Sequence, residues 1–213
     1  MLFLSLASLF VLQLLGAMLP GPDFFMVLRS SLKYGRNAAV LVALGVASGV
    51  LLYTVTVVLF LDYMNNRFLS FIHWISFFGG AYLLYIAYKC FRASKENIVF
   101  DKANQNKTKL SRKHLFGTGL GCNLSNPKVI VFFLSLLPLF VMKSDAMWYH
   151  LGIIAVMFIA TLCWFSFVAN VMGYVKVRRL FARHMAKFEK AFGIILIGFS
   201  LALFYAFFNH ITL

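Results

Sequence analysis

Acidic residues are scarce in this 213-residue chain, which has 6 Asp and Glu against 20 Lys and Arg. Charged residues of both signs make up 12% of the sequence, whereas about a quarter is usual in a soluble domain. Hydrophobic residues make up 62%, and the mean hydropathy is +0.86. This composition excludes a soluble globular fold and predicts an all-α integral membrane protein.

Paired cysteines and clustered metal ligands are also missing from the sequence. Cys90, Cys122 and Cys163 stand alone without a C-x-x-C motif, which argues against a disulfide framework or a thiol relay. The five histidines fall near the ends of apolar runs rather than at the spacing of metal ligands. No metal site and no cofactor is predicted, and because no acid and base are paired inside the apolar runs, no enzyme activity is predicted either.

Long apolar runs are what the chain does have. Six of them approach the ~20 residues that cross a bilayer core. The predicted spans are 2–28, 38–61, 68–88, 115–142, 147–173 and 191–208. The first is interpreted as retained rather than as a signal peptide, because no Lys or Arg precedes Arg29. Residues 1–213 are predicted to form a single transmembrane transporter domain.

Basic residues are distributed unevenly among the predicted loops. Seventeen of the twenty lie in the loops that follow the first, third and fifth spans. By the positive-inside rule these loops are cytoplasmic, which places both termini outside. The same topology accounts for the net charge of +14, so the lipid bilayer is a predicted partner and nucleic acid is not.

A polar linker at 89–114 divides the chain into halves of about 1–88 and 115–213. Because each half crosses the membrane three times, the second half enters with the opposite orientation. The predicted fold therefore has six transmembrane helices arranged as two inverted three-helix repeats, joined by a cytoplasmic linker, as in many secondary transporters.

Each half carries a break inside its first apolar run. The segments 16–23 and 121–128 share glycine, leucine and proline at a constant offset of 105 residues, and each ends with a charge. Charges and helix breakers are costly in hydrocarbon, so the pattern predicts broken first and fourth helices that build a binding site. The predicted helix-breaking residues are Pro20, Gly21, Pro22 and Pro127.

The charges at the two breaks suit the two ends of a zwitterion. Asn126 is a good N-cap and Pro127 suits the first helical position, so a half-helix beginning here and Lys128 together favour a carboxylate. Asp23 opens the other half-helix and is expected to attract an ammonium group or a proton. Two structural alternatives stay open: Asp23 as a capping charge only, or a bridge between Asp23 and Lys128.

Other polar residues in the apolar runs fall into two groups. Asn123 and Asn170 are predicted to line a polar path. Hydroxyls in membrane helices usually bond to their own backbone, so Ser48, Thr54 and Thr161 are predicted to be structural, and the role of Tyr53 stays open. The G-x-x-x-G pairs at 45–49 and 117–121 are predicted to mark close helix packing.

A series of motifs along residues 16–142 resembles a known family. The residues concerned are Pro20-Gly21-Pro22-Asp23, Gly35, Gly45, Gly49, Gly79-Gly80-Ala81-Tyr82-Leu83-Leu84-Tyr85 and Asn126-Pro127-Lys128. In this pattern and in its length the chain resembles the LysE/RhtB family of bacterial amino-acid exporters. The resemblance implies a protein of the bacterial cytoplasmic (inner) membrane that expels amino acids, with protons as the coupling partner.

The cargo is expected to be a neutral amino acid such as homoserine, threonine or leucine, because no second intramembrane acid is evident to hold a basic side chain. An inorganic-ion or metal exporter is an alternative, but it would need several intramembrane ligands. A membrane-embedded enzyme or thiol carrier and a non-transport assembly subunit are further alternatives. The sequence leaves open whether the chain forms a homo-oligomer.

Overall fold

The computed structural model describes residues 1–19, 21–64, 69–92, 110–172 and 174–208, which are almost entirely helical and contain no strand. The all-α prediction is therefore confirmed for this part of the chain. Pro20 and most of the predicted linker, residues 93–109, lie outside the described residues.

The described residues form nine helices. In chain order these are α1 (Leu2–Met18), α2 (Pro22–Tyr34), α3 (Arg36–Met64), α4 (Leu69–Arg92), α5 (Arg112–Leu124), α6 (Pro127–Leu136), α7 (Pro138–Val141), α8 (Met147–Val171) and α9 (Val175–Phe208).

Two of these helices are long and apolar enough to cross a membrane, as judged by length and composition in the described ranges. They are Arg36–Leu61 within α3 and Met147–Val171, which is α8. The α1–α2 pair, with axes bent by 64°, would count as a third span if taken together. Two predicted spans are thereby confirmed, and the six-span inverted repeat stays a prediction.

Both predicted breaks are present in the structure. α1 ends at Met18 before α2 begins at Pro22, and α5 ends at Leu124 before α6 begins at Pro127. Each proline occupies the start of its helix, where its missing N–H would have had no intrahelical acceptor.

A second interruption, which the sequence analysis did not predict, lies within the predicted span 115–142. α6 ends at Leu136, and the four-residue α7 begins at Pro138. Proline has no N–H to donate to the carbonyl four residues earlier, and its ring clashes with that carbonyl, so the helix is interrupted here.

Helix α3 lies at the centre of the bundle. It packs against α2, α5 and α8, while α1 packs on α8 and α4 packs on α9. Val42 and Val46 of α3 and Val168 and Ala169 of α8 are fully buried in the same apolar cluster. This packing brings the two helix breaks, which are far apart in sequence, against one central helix.

The α3–α5 crossing is close because glycines remove side chains from it. A Cβ at Gly45 would collide with the carbonyl of Phe116, and a Cβ at Gly119 would collide with the carbonyl of Val42. The packing role predicted for the 45–49 pair is confirmed. That predicted for 117–121 is wrong, because no described atom lies near either glycine and Gly119, on the opposite side of α5, makes the contact.

The same substitution, glycine to alanine, should therefore affect stability differently on the two sides of α5. Gly119→Ala forces α3 and α5 apart and should lower the free energy of unfolding by about 1–3 kcal/mol, as overpacking does. Gly121→Ala enters open space and should be neutral or stabilising by up to about 1 kcal/mol, because alanine is the better helix former. Thermal unfolding of the purified variants in detergent measures both, and equal melting temperatures would contradict the assigned contact.

Candidate functional site

A pocket lies where the two helix breaks meet α1, α3 and α8, and the empty space of about 470 Å³ found there includes open solvent. Its apolar wall includes Phe24, Val50, Phe132, Phe133 and Phe165. Its polar side chains are Gln13, Asp23, Asn123, Asn126, Lys128 and Thr161. Four of the five predicted binding residues are thus brought together in one place.

Asp23 lies in the first turn of α2 and is only 7% exposed. Its Oδ2 atom accepts hydrogen bonds from Asn123 Nδ2 at 2.9 Å and from Asn126 Nδ2 at 3.2 Å. Its Oδ1 atom is buried without a hydrogen-bond partner among the described residues. The carboxylate of the first half is therefore held by two amides of the second half.

Asn126 links the second break to Asp23. Its Oδ1 atom accepts from the backbone N–H of Lys128 at 3.2 Å, which is an N-cap bond for α6. Its amide nitrogen faces Asp23. The predicted N-cap is confirmed, and the same side chain both starts a helix and binds the buried carboxylate.

Lys128 reaches across to the first half of the chain. Its Nζ atom donates to the backbone carbonyl of Gly16 at 3.1 Å. Gly16 is in the last turn of α1, where carbonyls have no intrahelical donor and the helix dipole is negative. The ammonium group is thus placed where a positive charge is stabilised.

Gln13 is a pocket residue that the sequence analysis missed. It is 5% exposed, and its Nε2 atom donates to Thr161 Oγ1 at 2.8 Å, joining α1 to α8. Thr161 in turn donates to the carbonyl of Met157, so its predicted backbone bond is confirmed, although it also lines the pocket. The available signal was that Gln13 is the one amide side chain in the apolar α1.

Asn170 does not belong to this group. It is exposed on α8, its amide donates to the carbonyl of Ser166, and it does not line the pocket. The prediction for Asn170 has no geometric support. Of the predicted breakers, Gly21 lines the pocket and Pro22 begins α2.

Tyr53, whose role was open, holds the end of α5. Its hydroxyl donates to the carbonyl of Leu124, the last residue before the second break, at 2.7 Å. Ser48 and Thr54 bond to backbone carbonyls one turn earlier on α3, as predicted.

An apolar helical chain in which an acid, a base and several amides meet at two broken helices belongs to the class of multi-pass membrane transporters, not enzymes. The particular family is shown by comparison with known sequences. The chain belongs to the LysE type translocators, whose family model matches residues 14–206. The family resemblance noted from the sequence is thereby confirmed.

Several relatives are similar over most of the chain. The threonine efflux protein of Escherichia coli (strain K12) is 33% identical over 206 residues, covering 95% of this chain and 97% of the relative. An uncharacterized membrane protein of Bacillus subtilis (strain 168) is 28% identical over 203 residues, covering 92% and 97%. The homoserine/homoserine lactone efflux protein of Salmonella typhimurium is 29% identical over 126 residues, covering 59% of each chain. No solved structure matches.

The double role of Asn126 can be separated by two substitutions. Asn126→Ala removes both the N-cap of α6 and the bond to Asp23, and should lower the free energy of unfolding by about 1–3 kcal/mol. Asn126→Ser keeps an N-cap of equal quality but is too short to reach the carboxylate, so it should lie between wild type and Asn126→Ala. Unfolding in detergent measures the order, and a wild-type value for Asn126→Ala would contradict both assigned bonds.

Proposed function

We propose that this protein is a secondary transporter that exports neutral amino acids of the threonine, homoserine or leucine type, driven by the proton gradient across the bacterial inner membrane. The observation that carries the proposal is the pocket at the two breaks, in which one carboxylate and one ammonium group come from opposite halves of the chain. The efflux proteins among the relatives supply the direction of transport.

The substrate carboxylate is assigned to Lys128 and to the beginning of α6. Lys128 is the second residue of that helix, so its ammonium group and the positive end of the helix dipole act in the same region. Charge-assisted bonds to a carboxylate are stronger than bonds between neutral groups.

The substrate ammonium group is assigned to Asp23. Oδ2 is already bound by two amides, so Oδ1 is the atom that accepts from the substrate. A proton and the substrate ammonium group compete for the Asp23 carboxylate. This competition couples the entry of protons to the export of the amino acid. Release of the amino acid outside leaves Asp23 open to a proton, which it carries inward before the next substrate binds.

The proposal that the substrate is a neutral amino acid rests on the other residues that line the pocket. Asp23 is the single acidic side chain among the lining residues, and the phenylalanines and Val50 leave apolar surface for the substrate side chain. A basic side chain would lie there without a counter-charge, at a desolvation cost.

The inverted-repeat arrangement is supported by the way the helices pack. Each half contains a broken helix followed by two longer ones: α1–α2, α3 and α4, then α5–α6, α8 and α9. The pair α1·α8 corresponds to α5·α3, and α2·α8 corresponds to α6·α3, when the halves are exchanged. α3·α8 and α4·α9 pair equivalent helices, as expected around a pseudo-two-fold axis.

Export and its dependence on the two charges can be tested together. Cells preloaded with threonine, homoserine or leucine should release the substrate faster when they contain the protein. Asp23→Asn and Lys128→Gln should each reduce release per molecule by roughly 100-fold or more, because each removes a charge-assisted contact.

The double variant Asp23→Asn with Lys128→Gln distinguishes binding from a structural pair. A structural pair predicts recovered abundance and efflux in the neutral double variant. Binding of substrate predicts that efflux stays lost although the protein is present in the membrane. The matched control is Asp145→Asn with Lys143→Gln, an exposed acid and base outside the pocket, which should export normally. Substantial efflux from the double variant would end the binding proposal for both residues.

The orientation has a separate test. In a background with all three cysteines replaced by alanine, Asn209→Cys should react with an impermeant maleimide in intact spheroplasts, because the positive-inside rule puts that terminus outside. Asn104→Cys, in the basic linker, should react only after permeabilisation. Both positions lie outside the described residues. The reverse pattern of labelling would overturn the orientation.

A further inference from the structure

The orientation of the Gln13 side-chain amide is determined by its neighbour on α8. Thr161 uses its single hydroxyl hydrogen to donate to the carbonyl of Met157 at 2.8 Å. In this arrangement it accepts from Gln13, and the atom that faces it at 2.8 Å is the amide nitrogen. The amide oxygen of Gln13 must point elsewhere.

That oxygen is an unpaired acceptor on a residue that lines the pocket. Gln13 lines the pocket and is 5% exposed, and its Oε1 atom is buried with no hydrogen-bond partner among the described residues. Buried polar atoms are nearly always paired, so an orphan acceptor in a binding pocket indicates a donor that arrives with the ligand.

The position of Gln13 on α1 indicates which part of the ligand arrives there. Gln13 precedes Gly16 by three residues, about 4.5 Å along the helix and on the same side. The carbonyl of Gly16 is the group that Lys128 contacts. Gln13 and Lys128 line the same pocket, so an amino acid whose carboxylate binds Lys128, as the proposed function has it, can direct its side chain toward Gln13.

We infer that Gln13 Oε1 accepts a hydrogen bond from a hydroxyl group on the substrate side chain, so that the pocket selects hydroxylated amino acids over aliphatic ones of the same shape. The inference rests on the proposed function. Its physical basis is that an aliphatic analogue would leave the buried oxygen unpaired, which a site built around a hydroxyl penalises strongly. Thr161 is a positioning residue, because it fixes which end of the amide faces the substrate.

Threonine and valine provide the matched pair of substrates. Their side chains have nearly the same shape, but only threonine has a hydroxyl group that can form hydrogen bonds. The protein is reconstituted in proteoliposomes with a proton gradient, and transport of labelled threonine and valine is measured in competition. Wild type should prefer threonine. Gln13→Met, which keeps the length and leaves Thr161 bonded to Met157, should reduce the threonine-to-valine ratio about tenfold.

Three further variants separate recognition from structure. Thr161→Val removes the hydroxyl that orients the Gln13 amide, so the amide can rotate and the threonine-to-valine transport ratio should fall. Thr161→Ser keeps the hydroxyl and should keep the wild-type ratio. Ser5→Ala is the matched control, because Ser5 and Tyr149 form another buried hydrogen bond between α1 and α8, at 2.9 Å and outside the pocket. It should leave the ratio unchanged.

The outcomes distinguish this inference from the proposed function. Transport of neither substrate by the wild type, nor of any other amino acid, would overturn the proposed function itself. Transport of both with no preference, or with a preference that Gln13→Met leaves intact, would overturn the inference alone. Equal loss of both substrates in Gln13→Met would also overturn it, because Gln13 would then contact a group that the two share.

Discussion

The structure depends on how one carboxylate is kept in an apolar bundle. Asp23 is buried, and burial of an unpaired charge is costly unless hydrogen bonds replace the lost water. Asn123 and Asn126 supply two such bonds from the second half of the chain. These two hydrogen bonds to Asp23 therefore hold the first helix break against the second, and the pocket forms where the two breaks meet.

The two breaks use complementary helix ends. Lys128, at the beginning of α6, contacts a carbonyl in the last turn of α1, while Asp23 lies in the first turn of α2. The Lys128 ammonium group thus contacts the negative end of α1 and the Asp23 carboxylate lies at the positive end of α2, which reduces the cost of having these charges inside the bundle. Breaking the helices is what makes these termini available at the pocket, since continuous helices would keep their polar groups internally bonded.

Close packing of α3 on α5 is the second requirement. The side chain of Asn123 lies against Gly49, where a Cβ would collide with its amide oxygen. Gly45 on α3 and Gly119 on α5 are each one turn from the Gly49–Asn123 contact along their own helices, and they allow the same close approach. Small residues in this crossing let Asn123 reach Asp23, so the glycines contribute to the site without touching its polar groups.

The sequence by itself determined the membrane class, the all-α fold, the two breaks and the N-cap at Asn126, because these depend on composition or on residues adjacent in the chain. It also indicated that Asp23 and Lys128 belong together. It did not distinguish Asn123 from Asn170, since both are amides in apolar runs and only packing turns one inward. Gln13 and Thr161 are 148 residues apart and become a pair only when α1 packs on α8. Which side chains share the pocket was decided by the tertiary structure, because hydrogen bonds depend on distance and direction in space and not on position along the chain.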